Sequence, residues 1–172
     1  KLWIGTDGGM IHVYDRKKLS MEKIEVKLKS AKQHIVPFQF LELNKNVMLV
    51  GTSIGLLQYD QGGKIFSYYK PVENIINYKQ VRQILREGEN LYILYNGSIS
   101  IHNLKTSTTK SFKNFGSPAI RNGTVIYVDN QKRLWLGVSN GLSLYDPSNE
   151  SFQHFPFEIT SSRPLGTYFM VL

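Results

Sequence analysis

The side chains able to do chemistry are few, and their spacing forms no catalytic set. The four histidines, His12, His34, His102 and His154, show no metal-ligand spacing such as i, i+4 on a helix. There is no cysteine, which removes thiol nucleophiles and Cys-based zinc sites while leaving the redox compartment open. Asp15, Asp60 and Asp146, with Asn103, close similar segments of chain. One acid repeated in this way cannot be a single active-site acid, and its natural work is to accept hydrogen bonds from turn amides. Paired carboxylates for glycoside hydrolysis cannot be placed, and no nucleophile elbow or phosphate loop is present. The sequence thus predicts no catalytic residue, no metal and no cofactor, in a protein that is not an enzyme.

What positions these residues is an internal repeat. Leu2-Trp3-Ile4-Gly5-Thr6 with Tyr14-Asp15 matches Met48-Leu49-Val50-Gly51-Thr52 with Tyr59-Asp60. The same pattern returns as Leu91-Tyr92-Ile93-Leu94-Tyr95 with His102-Asn103, and as Leu134-Trp135-Leu136-Gly137-Val138 with Tyr145-Asp146. The anchors Trp3, Leu49, Tyr92 and Trp135 are 46, 43 and 43 residues apart. Val125 to Val128 and Tyr168 to Val171 are also 43 apart. Each period holds four short runs rich in β-branched and aromatic residues, separated by turn signals, and no window carries a helical period of ordinary length.

A four-stranded antiparallel unit of this size in tandem predicts an all-β β-propeller fragment of about four blades. The units are expected at residues 1-36, 37-79, 80-122 and 123-165, with 166-172 the first strand of a further blade. Gly5, Gly51 and Gly137 fall mid-strand, which predicts close approach of the neighbouring backbone. Leu94 replaces glycine in the third unit, so that blade should be packed wider or its partner trimmed. Both ends read as cut. Either Tyr168–Leu172 pairs with Leu2–Thr6 to close a small ring, or the units form an open arc that needs its missing blades or a second copy of the chain. Such an arc would need them because its exposed apolar end faces drive association, and the arc is the favoured form.

The net charge of +8 comes from scattered lysines and arginines. The densest stretch, Arg16 to Lys32, is interleaved with Glu22 and Glu25 and reads as a solvated hairpin, so no nucleic-acid partner is expected. No run approaches the roughly 18 apolar residues of a membrane helix, and no membrane contact is expected within the chain.

With these residues in view, the sequence resembles the two-component regulator propeller repeat. That family's blades read Leu-Trp-Ile-Gly-Thr, a short turn, then Gly-Leu and a strand ending in Tyr-Asp. Units one and four carry this strongly (Leu2 to Thr6 with Tyr14-Asp15; Leu134 to Gly137 with Gly141-Leu142 and Tyr145-Asp146), unit two well and unit three poorly. The resemblance implies the periplasmic sensor region of a hybrid histidine kinase, responding to an oligosaccharide and signalling to kinase parts outside this chain. The alternative is a protein-interaction scaffold without a small-molecule ligand.

If a ligand binds, the blade tops near the axis are the expected place. Asp7, Asn96 and Asn140 come from turns between second and third strands. Tyr78, Arg121 and Arg163 come from loops leading into first strands. Planar amides and guanidinium groups suit sugar hydroxyls or an acidic glycan.

Overall fold

The computed structural model describes residues 1–28, 34–76, 79–117 and 122–157. Over these residues the chain forms fifteen strands in four antiparallel sheets. The first sheet is three-stranded, β1 (Leu2–Gly5), β2 (Met10–Asp15) and β3 (Ser20–Glu25). The second contains β4 (Pro37–Asn44), β5 (Val47–Thr52), β6 (Gly55–Asp60) and β7 (Ile65–Tyr68). The third contains β8 (Val81–Glu87), β9 (Asn90–Tyr95), β10 (Ser98–Asn103) and β11 (Thr109–Phe112). The fourth contains β12 (Val125–Val128), β13 (Leu134–Val138), β14 (Gly141–Asp146) and β15 (Ser151–Pro156). A short 3-10 turn, Lys70–Val72, runs into the single turn α1 (Glu73–Ile76) between the second and third sheets. The strand expected within residues 166–172, and with it the choice between ring and arc, lies outside the described residues.

Each hydrophobic core belongs to a seam between two sheets. Ile11 and Val13 of the first sheet pack with Met48, Val50 and Tyr59 of the second. Leu49 and Leu56, on the other face of that second sheet, pack with Ile84, Leu91 and Ile93 of the third. Tyr92, Leu94 and Ile99 then pack with Ile126, Leu134 and Leu136 of the fourth. Since successive strand residues point to opposite faces, a sheet covered on both sides needs an unbroken apolar run. β5 and β9 are such runs, buried at every position after the first. β1 alternates between exposed and half-buried positions, and β13 between buried and half-buried ones, as strands do with one covered face. Burying each Leu or Ile this way contributes about 1.5–3 kcal/mol.

The glycines show how closely the sheets meet. A Cβ on Gly5 would lie 2.8 Å from the Pro37 carbonyl oxygen, and one on Gly51 would lie 2.8 Å from that of Val81, each on the next sheet's first strand. For Gly137 the first strand of a next blade lies outside the described residues. Among the described residues its nearest neighbour is the Val125 side chain of its own sheet, 2.6 Å from where a Cβ would stand. Opposite Leu94 the partner is trimmed: a Cβ on Gly123 would sit 3.2 Å from Leu94 Cδ1 and 2.9 Å from Leu136 Cδ1. The leucine that replaces a glycine is thus matched by a glycine across the seam.

Seams are also stitched by hydrogen bonds from glutamine side chains. Gln39 Oε1 accepts the Ile84 backbone N–H at 2.7 Å. Gln83 repeats this toward Ile126. The two glutamines hold the same register, opposite Gly51 and Leu94, and Val125 takes that place opposite Gly137.

Candidate ligand-binding site

The turns between second and third strands and the segments leading into first strands meet at one end of the molecule, as expected. Ser53 joins Val36 through backbone and hydroxyl, and the His34 ring donates to the Asp7 carbonyl at 2.6 Å. Asn96 N donates to the Gln80 carbonyl at 3.1 Å, while Asn96 Oδ1 accepts the Gln80 N–H at 2.8 Å. Gly123 N donates to the Gly97 carbonyl at 2.8 Å. The Asn96-Gly97 pair has φ of 43° and 72°, the two positive values of a tight hairpin turn. Asn122-Gly123 is different: it lies in the segment before β12, and its Asn φ of 63° serves the contact with Gly97.

Of the residues expected to meet a ligand, Asn96 lines a cavity of about 290 Å³ at this end. Gln80, Arg82, Asn122 and Thr124 line it too, and the spacing pattern had picked out none of them. Arg82 Nε donates to Gln80 Oε1 at 3.1 Å, and among the described residues no carboxylate pairs with this guanidinium. A planar cation and several amides thus border one hollow, the chemistry foreseen for hydroxyl recognition. Asp7 and Asn140 are exposed turn residues of the first and fourth sheets and do not line it. Tyr78, Arg121 and Arg163 lie outside the described residues. The signal missed was the bulge: Arg82 is the extra residue between the pairs Val81↔Tyr95 and Gln83↔Leu94, which turns its side chain outward.

A larger cleft, about 500 Å³, opens at the opposite end between the third and fourth sheets. Its lining includes Tyr92, Tyr145, Lys110, Lys132 and Arg133. The repeated acids serve the turns at that end. Asp15 Oδ1 accepts the N–H groups of Lys17 and Lys18, Asp60 that of Gly62, Asn103 those of Lys105 and Thr106, and Asp146 that of Ser148. The Lys18 amide holds the Asp15 carboxyl below its ordinary range, and the Ser148 hydroxyl and amide do the same for Asp146. His102 is buried, its Nδ1 2.8 Å from Thr109 Oγ1, and burial lowers its pKa. Among the described residues no group of three His, Cys, Asp or Glu side chains is placed to hold a metal ion. Nor is any helix among them long and apolar enough to cross a membrane.

No family model and no curated protein matches the chain. Solved structures do. The extracellular domain of BT3049 from B. thetaiotaomicron, described as a hybrid two-component system, aligns over 88% of this chain at a TM-score of 0.68 and 21% identity. That of BT4673 from the same organism aligns over 95% at 0.67 and 17% identity. The Neurospora crassa Pan2 WD40 domain aligns over 90% at 0.55 and 9% identity. The four sheets are propeller blades. The chain spans only 21% and 22% of the two B. thetaiotaomicron domains, so the alignments give the blades and their stacking. That a WD40 domain stacks blades the same way shows why function must be argued from the sites.

Proposed function

We propose that the chain is part of the extracytoplasmic, periplasmic sensor domain of a hybrid two-component regulator, recognising a glycan-derived ligand and signalling to a histidine kinase outside this chain. The observation that carries this reading is the hollow bordered by Arg82, Gln80, Asn96 and Asn122, whose amides and guanidinium suit sugar hydroxyls. The repeat's resemblance to two-component regulator propellers and the blade stacking shared with two such extracellular domains support it. The blade units we propose are 1-36, 37-79, 80-122 and 123-165. Calorimetric screening of the complete propeller against neutral and acidic oligosaccharides tests the ligand. A hit weakened at least tenfold by Arg82→Ala supports the reading, and failure across the panel removes it.

A second reading, a protein-interaction scaffold, is favoured by the open face of the fourth blade. Val125, Tyr127, Leu142 and Phe155 there are between 36% and 47% exposed. Their register counterparts on the third blade, Gln83, Leu85, Ile99 and Phe112, lie at the seam with the fourth. A further blade of the parent propeller or a second copy of the chain would cover this face. Sedimentation of the 172-residue chain separates the cases: association abolished by Tyr127→Lys and Phe155→Lys marks an interface, and a monomer at every concentration removes the scaffold reading.

A further inference from the structure

The 500 Å³ cleft between the third and fourth blades lies away from the end where a ligand was expected. Its lining has a one-sided charge. Lys110, Lys132 and Arg133 border it, and among the described residues no acidic side chain does. Their carboxylate partners stand outside the lining: Glu150 for Lys110, Glu87 for Lys132 at 2.8 Å, Asp129 for Arg133 at 2.6 Å. The two lysine pairs are exposed, with Lys110 and Lys132 side chains 53% and 67% accessible. Exposed ion pairs hold weakly, so a ligand carboxylate can take either lysine at little cost. Arg133 is held differently, with its guanidinium over the Trp135 ring at 5.4 Å and fastened to Asp129, and it serves as a fixed positive wall.

The remaining lining donates hydrogen bonds. Tyr92 and Tyr145 present phenol O–H donors, and burial raises both further above the ordinary tyrosine value. The Asn90 and Asn103 amides are joined at 3.1 Å, and the Thr106 and Thr108 hydroxyls stand 2.8 Å apart at the rim. Ile101 and Leu134 provide apolar surface, the usual make-up of a small-molecule site.

We infer that this cleft is a second binding site, taking a hydroxylated organic anion whose carboxylate lies between Lys110 and Lys132 and whose hydroxyls face the tyrosines and amides. The inference deepens the sensor reading and rests on it for the kind of ligand, but it uses different residues from the Arg82 hollow.

Titration calorimetry of the 172-residue chain with digalacturonate, with a neutral disaccharide and with inorganic sulfate tests it. Digalacturonate is expected to bind at least tenfold more tightly than either of the others. Lys110→Gln with Lys132→Gln should weaken it at least tenfold, and Lys64→Gln, at an exposed lysine paired with Glu22 away from the cleft, should leave it unchanged. Both lysines are exposed, so the double variant should keep the wild-type circular dichroism spectrum and unfolding midpoint. Equal binding of sulfate, equal binding of the neutral disaccharide, or wild-type affinity in the double variant overturns the inference. Binding that falls only with Arg82→Ala also removes the cleft and leaves the sensor reading standing.

Discussion

The Gln83 side chain reaches across the seam and holds one residue of the next blade, Ile126, by both of its backbone polar groups. Nε2 donates to the Ile126 carbonyl at 2.9 Å, and Oε1 accepts the Ile126 N–H at 2.7 Å. A primary amide carries a donor and an acceptor side by side, so it stands in for a neighbouring strand at the free edge of β12. Gln39 does half of this toward Ile84. Edge strands expose rows of unpaired groups, and these side chains cap one residue of that edge at each of two seams.

Replacing Gln83 by Leu should therefore cost more than its volume implies. Ile126 is 1% exposed, and its N–H would lose its partner, a penalty of about 1–3 kcal/mol. Gln39→Leu removes a single bond and should cost less. Urea unfolding midpoints of the two variants check both the size and the order.

Adding one methyl group to Gly51 should be as damaging as removing several elsewhere. A Cβ there meets the Val81 backbone oxygen at 2.8 Å, and backbone cannot yield as a side-chain tip can. Gly51→Ala should destabilise by about 1–3 kcal/mol. Gly62→Ala, whose Cβ meets nothing closer than 3.5 Å, should stay within about 0.5 kcal/mol.

The third blade replaces an aromatic pair by a polar one, and this should make stability depend on pH. Tyr59 meets Phe66 at 4.6 Å between ring centres, and Tyr145 meets Phe152 at 5.2 Å. The corresponding pair is His102 and Thr109, joined by a hydrogen bond. Burial depresses the folded-state pKa of His102, so protonation favours the unfolded chain. Its stabilising contribution is present above the ordinary histidine value of 6.5 and is lost as pH falls below it. His102→Tyr combined with Thr109→Phe should flatten the decline of the urea midpoint between about pH 7 and pH 5 relative to wild type.

Asp129 should anchor the β12–β13 turn only while it is ionised. Burial alone would raise its carboxyl. Donation from Trp135 Nε1 at 2.9 Å, from the Arg133 amide at 2.9 Å and guanidinium at 2.6 Å, and from the Gln131 amide at 2.9 Å outweighs burial and holds it far below the ordinary carboxylate range. A depressed carboxylate stabilises above its unfolded value of 3.8 and loses that effect as the solution becomes more acid. Asp129→Asn should unfold at lower urea than wild type at pH 7, and the gap should narrow below pH 4.

Much of the fold was legible because a repeat makes each blade a check on the others. The anchors Leu49, Tyr92 and Trp135 fall on the second strand of a four-stranded sheet and Trp3 on β1 of the three-stranded one, and the turn role of Asp15, Asp60, Asn103 and Asp146 followed from their recurrence. The sequence left wider packing or a trimmed partner open at Leu94, and could not point to Gly123 as the trimmed residue, since contact across a seam obeys no sequence spacing. The site was less legible. Arg82 and Gln80 show no distinctive motif, and Arg82 reaches the hollow from a bulge that depends on how β8 pairs with β9. Residues that recognise a ligand differ from blade to blade, so periodicity, which reads what is shared, passes over them.

Amide hydrogen exchange on the 172-residue chain, resolved by residue, tests most directly whether the cores lie at the seams. The account predicts the slowest exchange in β5 and β9, the strands covered on both faces, with Ile84 and Ile126 protected by their glutamine caps and β3 exchanging fastest among the strands. Equal protection in all four blades, or β9 exchanging as fast as β3, would contradict it.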